Sequence, residues 1–138
     1  GATDRASFKN FSFNFDSAAG IIYTVDVTKP KGEKVTITSM ADGTPFSLDK
    51  MYKVALNSYR GNGGGELLTK GSGISQDELK DRILYSTDKD LRYYLMQYIE
   101  KKGVIEPHAL GQWKFIPEEW VEPAAKRDYE YLFGKVEK

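Results

Sequence analysis

The chain has 138 residues, enough for one domain with a real core, and its 40% apolar and 13% aromatic content argues against disorder. Lysine plus arginine and aspartate plus glutamate both number 20, so no net positive charge points to a nucleic-acid polymer as partner. Cysteine is absent, which excludes disulfides and thiolate metal sites, and no apolar run reaches the roughly 18 residues of a membrane helix, so no membrane partner is expected.

Residues 1–10 are polar and read as a flexible N-terminal segment, with Gly1 as a scar of tag removal. No signal-peptide pattern precedes the rest. Residues 11–138 read as a single domain. Phe11, Phe13 and Phe15 alternate with Ser12 and Asn14, the period of a short strand. Gly20 to Thr28 is the strongest strand signal, rich in β-branched residues and carrying Tyr23. Its alternation puts Tyr23, Val25 and Val27 on one face, and Ile22, Thr24 and Asp26 on the other. Lys29 to Gly32 (KPKG) reads as a turn. Lys34 to Met40 alternates again, and Asp42-Gly43 is a hairpin signal. Tyr52 to Leu56 is expected to be the next strand.

The second half changes period. Ser75 and Glu78 match a capping box, predicting a helix that runs to the neighbourhood of Tyr85. Thr87 and Asp90 repeat the start signal. Leu91, Leu95, Tyr98 and Ile99 then fall at helical spacing, with the helix ending at Lys102 and Gly103 as its cap. Gln112 to Ile116 reads as a short strand. Pro117, Pro123 and the run Ala124 to Gly134 predict a terminal helix that starts after a proline. Strands first and helices later give an α+β class, a mixed or antiparallel sheet with helices packed on it.

Asn57 to Gly65 (NSYRGNGGG) is the most informative stretch. Successive glycines have no Cβ, so the backbone takes positive φ and another group can approach closely. Peptide N–H groups in such a loop can form a concave site. Tyr59 stands just before the glycines. Two readings stay open: a ring and bare backbone that serve a nucleobase or sugar, or a surface turn with a core tyrosine. Phe15 is the other aromatic placed beside loop residues, and stacking on a base is worth about 1–3 kcal/mol.

Catalytic equipment is thin. His108 is the only histidine and sits in a loop, so a two-histidine metal site is impossible and no serine triad has its elbow. Asp77, Glu78 and Asp81, and likewise Glu118 and Glu119, read as solvated helix starts that suit the macrodipole. The glycine loop lacks the Gly-Lys-Ser/Thr ending of a phosphate loop.

Several blocks together resemble a known family. Phe13 to Gly32 (FNFDSAAGIIYTVDVTKPKG) resembles the F-x-x-x-x-G-[IV]-x-Y-x-[IV]-D-x-[ST]-x-P-x-G segment of the 5′-nucleotidase C-terminal domain. Tyr52 to Gly65 (YKVALNSYRGNGGG) resembles its Y-x-[VL]-A-x-N-x-[FY]-x-x-x-G-G segment, with Gly43 and Asp49 to Tyr52 fitting the spacing between. The Asn-x-Tyr-Arg version, and Ile105 to Trp113 (IEPHALGQW), are more similar to the 2′,3′-cyclic-nucleotide 2′-phosphodiesterase/3′-nucleotidase subgroup. The likeness covers residue 11 to the neighbourhood of Pro117.

The resemblance implies a nucleoside-binding domain that follows an N-terminal metallophosphoesterase domain in a larger chain. That partner domain would hold two divalent metal ions and the hydrolytic chemistry, so no cofactor and no catalytic residue are expected in this chain. It implies a base clamped between Phe15 and Tyr59. Asn57, Asn62, Gly63 and Gly64 would shape the pocket, with Arg60 as a further substrate-binding candidate, although the family's phosphate-contacting arginines lie upstream of residue 1. Many members carry a ribose-binding carboxylate where this chain has Gly65, a departure, with Glu66 adjacent. The family is usually exported to the periplasm or cell surface. The function expected is therefore nucleoside or nucleotide recognition within a phosphoesterase. The alternatives are a structural or interaction module with a degenerate pocket, and a stand-alone enzyme using His108.

Overall fold

The computed structural model describes residues 14–134. Phe11, Phe13 and the segment 1–10 lie outside the described residues. Phe15, the described end of the expected first strand, lies in irregular backbone.

Three strands form one mixed sheet in the order β2-β1-β3. They are β1 (Ile21–Asp26), β2 (Val35–Met40) and β3 (Trp113–Ile116). β1 pairs antiparallel with β2, placing Ile21 opposite Met40 and Val25 opposite Val35, with one register shift between Ile22 and Tyr23. It pairs parallel with β3, placing Tyr23 opposite Trp113 and Val25 opposite Phe115. The β-branched run of β1 suits the middle of the sheet, where packing on both neighbours rewards it. The turn between β1 and β2 closes where the Glu33 N–H donates to the Pro30 carbonyl at 3.2 Å, and Gly32 takes φ 95° there.

Past β2 the expected Asp42-Gly43 turn forms. Asp42 Oδ1 accepts from the Thr44 N–H at 2.9 Å and from its hydroxyl at 2.6 Å. No strand returns from it, and 44–57 is irregular. The expected strand at Tyr52 to Leu56 is thus corrected. Its alternation says which side chains share a face but supplies no partner. β1 is already flanked by β2 and β3, and Val54 and Leu56 are exposed.

The chain divides into two compact units, Met51–His108 and the residues before and after it. The flanking unit holds the sheet and α4 (Glu118–Phe133). α4 begins directly after Pro117, earlier than Ala124, with Glu118 and Glu119 in its first turn and Pro123 inside it. Gly134, at φ 85°, ends it with its N–H on the Glu130 carbonyl at 2.9 Å.

Met51–His108 holds α1 (Ser58–Gly61), a tight turn at Gly64–Glu66, a wide turn at Leu67–Gly71, α2 (Gln76–Asp81) and α3 (Leu91–Lys102). Ser75 caps α2 as expected, its Oγ accepting from the Glu78 N–H at 3.2 Å. α2 stops at Asp81 instead of running to Tyr85. Ile83, Leu84 and Tyr85 are exposed, so no packing surface extends a helix that its own propensity does not sustain. α3 starts at Asp90, whose carboxylate accepts from the Tyr93 N–H at 3.1 Å. It ends at Lys102, with the Gly103 N–H on the Ile99 carbonyl at 2.8 Å. Its spaced residues Leu91, Leu95, Tyr98 and Ile99 are exposed.

Candidate functional site

Phe15 belongs to the sheet-bearing unit. Its ring centroid is 5.7 Å from that of Trp113 and 6.3 Å from that of Phe115, tilted in both cases. Trp113 stacks on Tyr23 at 5.8 Å and 11°, and meets Phe115 edge-on at 5.1 Å. The register explains the cluster, because residues two apart on β3 share a face and Trp113 lies beside Tyr23. Tyr23 is buried, yet Phe15 is 60% exposed. The stretch between Phe15 and β1 is pinned to the sheet at two points. The Ala18 N–H donates to the Tyr23 hydroxyl at 3.1 Å, and the Gly20 N–H to Gln112 Oε1 at 2.9 Å. A cavity of about 410 Å³ lies in the same unit, lined by Ser17–Ala19 and Ala109–Trp113.

Tyr59 belongs to the other unit, on α1. Asn57 caps that single turn, its Oδ1 accepting from the Arg60 N–H at 2.8 Å. The Tyr59 ring is 56% exposed, which corrects the reading of a core tyrosine. Its inner side rests on glycine. A Cβ added to Gly64 would stand 2.5 Å from the Tyr59 carbonyl oxygen and 2.6 Å from ring atoms Cδ2 and Cε2. The group that comes close to this bare backbone is therefore the chain's own tyrosine. Gly63 is constrained as well, at φ 88°, and a Cβ there would meet Gln76 Oε1 at 2.8 Å. Gln76 in turn donates from Nε2 to the Asn62 carbonyl at 3.0 Å, clasping the loop to α2.

Arg60 turns inward. It is 6% exposed, donates from a guanidinium nitrogen to the Gly64 carbonyl at 3.1 Å, and lies 5.3 Å from the Tyr59 ring centroid. The Gly63 N–H donates to the Arg60 carbonyl at 3.0 Å, while Asn62 is exposed. Glu66 is exposed at φ 61° and pairs with Lys70 at 2.6 Å. His108 is exposed, with Nδ1 3.2 Å from the Glu106 carbonyl oxygen. Among the described residues, no three His, Asp or Glu side chains gather as a metal site, and no helix is long and apolar enough to cross a membrane.

The sequence reading missed the support under Phe15. Trp113 appears there only as part of a pattern, and Gln112 has no role. The one available signal is the alternation of Trp113 and Phe115 on a predicted strand.

Residues 3–70 match the family described as 5′-nucleotidase, C-terminal domain. Through that stretch the chain belongs to the 5′-nucleotidase C-terminal-domain family. Two curated proteins extend the likeness. The trifunctional nucleotide phosphoesterase protein YfkN of Bacillus subtilis is 31% identical over 121 residues, covering 79% of this chain and 8% of that protein. A 2′,3′-cyclic-nucleotide 2′-phosphodiesterase/3′-nucleotidase of Haemophilus influenzae is 29% identical over 121 residues, covering 77% of this chain and 17% of that protein. The chain thus spans under a fifth of either relative's length. No solved structure gives a significant match. The α+β fold with a mixed sheet agrees with the family.

Proposed function

We propose that this chain is the nucleoside-recognition domain of a nucleotide phosphoesterase, with Phe15 and Tyr59 as the surfaces that stack on the base. The observation that carries this reading is the Tyr59 ring, half bare to solvent and seated on a backbone with no room for a side chain at Gly64. An exposed ring held in one orientation loses little freedom when a flat ligand stacks on it. Phe15 supports the reading in the same way, exposed but backed by other rings.

The remaining loop residues divide by what they already do. Asn57 and Arg60 hold the loop in shape, and the Gly63 N–H is spent within it. Asn62 and Gly64 are assigned to the sugar or base edge. Glu66, tied to Lys70, is not given the ribose. Hydrolysis belongs to a metallophosphoesterase domain in the parent protein, which would supply two divalent metal ions. No residues described here form a set that holds them. On this reading the parent is an exported protein of the periplasm or cell surface.

Titration calorimetry with adenosine tests the reading. Tyr59→Ala should weaken binding by about 1–3 kcal/mol with the fold intact. Equal affinity in that variant would remove Tyr59 from the site. A chain that binds no nucleoside or nucleotide would favour the structural-module reading.

A further inference from the structure

We propose that Gln112 is a specificity-determining residue: its side-chain NH2 donates to an acceptor atom on the edge of a nucleobase entering the cavity between Ser17–Ala19 and Ala109–Trp113. The inference rests on the nucleoside reading above and adds to it a base-edge donor in the unit of Phe15.

The orientation of the amide follows from its neighbour. The Gly20 N–H can only donate, so the atom it meets at 2.9 Å is the amide oxygen. The NH2 is the group left over, and no described residue accepts from it. The oxygen is anchored to backbone ninety-two residues away in sequence, so the donor is fixed as well. Gln112 is half-buried, and both it and Trp113 line the cavity.

The cavity is an open depression, with Ser17–Ala19 and residues 109–111 exposed, and a flat heterocycle is the ligand we assign to it. Its volume of about 410 Å³ lies within the roughly 300–1,000 Å³ of small-molecule sites. Ala18, Ala19 and Ala109 leave its walls low and apolar, with few polar groups to set direction. Trp113 joins it to the proposed stacking surface, since the indole is also in ring contact with Phe15. A base lying on that surface would present its edge, where carbonyl oxygens and unprotonated ring nitrogens accept hydrogen bonds. A sugar or a phosphate has no such flat, acceptor-bearing edge.

Gln112→Glu separates the two halves of the amide. It keeps an oxygen for the Gly20 N–H and replaces the donor by an acceptor. In ¹H–¹⁵N NMR of the unmodified chain, adenosine should shift the Gln112 side-chain NH2 pair. In calorimetry Gln112→Glu should bind adenosine about tenfold or more weakly, with continued exchange protection of the Gly20 amide reporting an intact tether. Shifts at Phe15 and Tyr59 with none at Gln112, and equal affinity in Gln112→Glu, would overturn the inference and leave the stacking intact. Absence of any shift in the unmodified chain would overturn both.

Discussion

Phe15 and Tyr59 are both aromatic rings left more than half exposed, but opposite means hold them. Phe15 rests on added bulk: Trp113 and Phe115, with Tyr23 stacked behind. Tyr59 rests on missing bulk, a glycine whose Cβ would overlap the ring. One surface is built from side chains brought together by a sheet register. The other is built by a local turn, a cap and bare backbone. The lesson is that the two should fail differently. Deletion should harm the first, and addition the second.

The largest effect is expected from deletion under Phe15. Trp113→Ala removes the ring that touches Phe15, Tyr23 and Phe115. Its half-buried position puts the cost at about 2–3 kcal/mol, below the roughly 3–5 of a fully buried ring. Chemical denaturation reads the loss. Hydrogen exchange shows where it falls: β1 and β3 amides should lose protection first, ahead of the Gly61 and Asn62 amides bonded within α1. Equal loss in both places would break the comparison.

Addition under Tyr59 comes next. Gly64→Ala asks backbone at 2.5 Å to move, and carbonyl oxygen does not swing aside as a long side chain would. Overpacking of this kind costs about 1–3 kcal/mol. The Tyr59 ring should tilt off its seat, so adenosine binding should fall along with stability. Undiminished binding in Gly64→Ala would show that the ring needs no such seat.

The two surfaces also differ in how far the sequence revealed them. The Tyr59 loop was legible because its parts are neighbours: Asn57 caps, Tyr59 follows, and the glycines stand a few residues on. β1, β2 and α3 were legible for the same reason, their periods and caps being local. The Phe15 support was not legible, because Gln112 meets Gly20 across ninety-two residues and alternation does not say which strands pair. Tyr52 to Leu56 failed on that same point. It has a strand's pattern, but no described strand pairs with it. Arg60 reads as a substrate-binding candidate before the glycines, yet the turn folds it inward onto the Gly64 carbonyl.

Acid should sharpen the comparison with the smallest effect. Among the described residues, four carboxyls are held below their ordinary values. Asp26, Asp42 and Glu118 lie in the unit of Phe15, and Glu78 lies in the unit of Tyr59. The Thr28 and Thr44 hydroxyls lower Asp26 and Asp42, while hydrogen bonds from Lys114 and Arg82 lower Glu118 and Glu78. A carboxyl lowered in the folded state adds stability above its unfolded value and loses it as pH falls through the folded one. An NMR titration downward from neutral pH should therefore loosen the sheet unit more than the glycine-loop unit. Salt then separates the causes. At about 1 M the Debye length is near 3 Å, which weakens the exposed Lys114–Glu118 and Arg82–Glu78 pairs. Hydrogen bonds from neutral threonine hydroxyls are not screened in that way. The acid response should persist at the Asp26 and Asp42 turns in high salt and fade around Glu78 and Glu118. A response at Asp26 and Asp42 that vanished with salt would mean Lys29, Lys34 and Lys50, not the hydroxyls, set those two carboxyls.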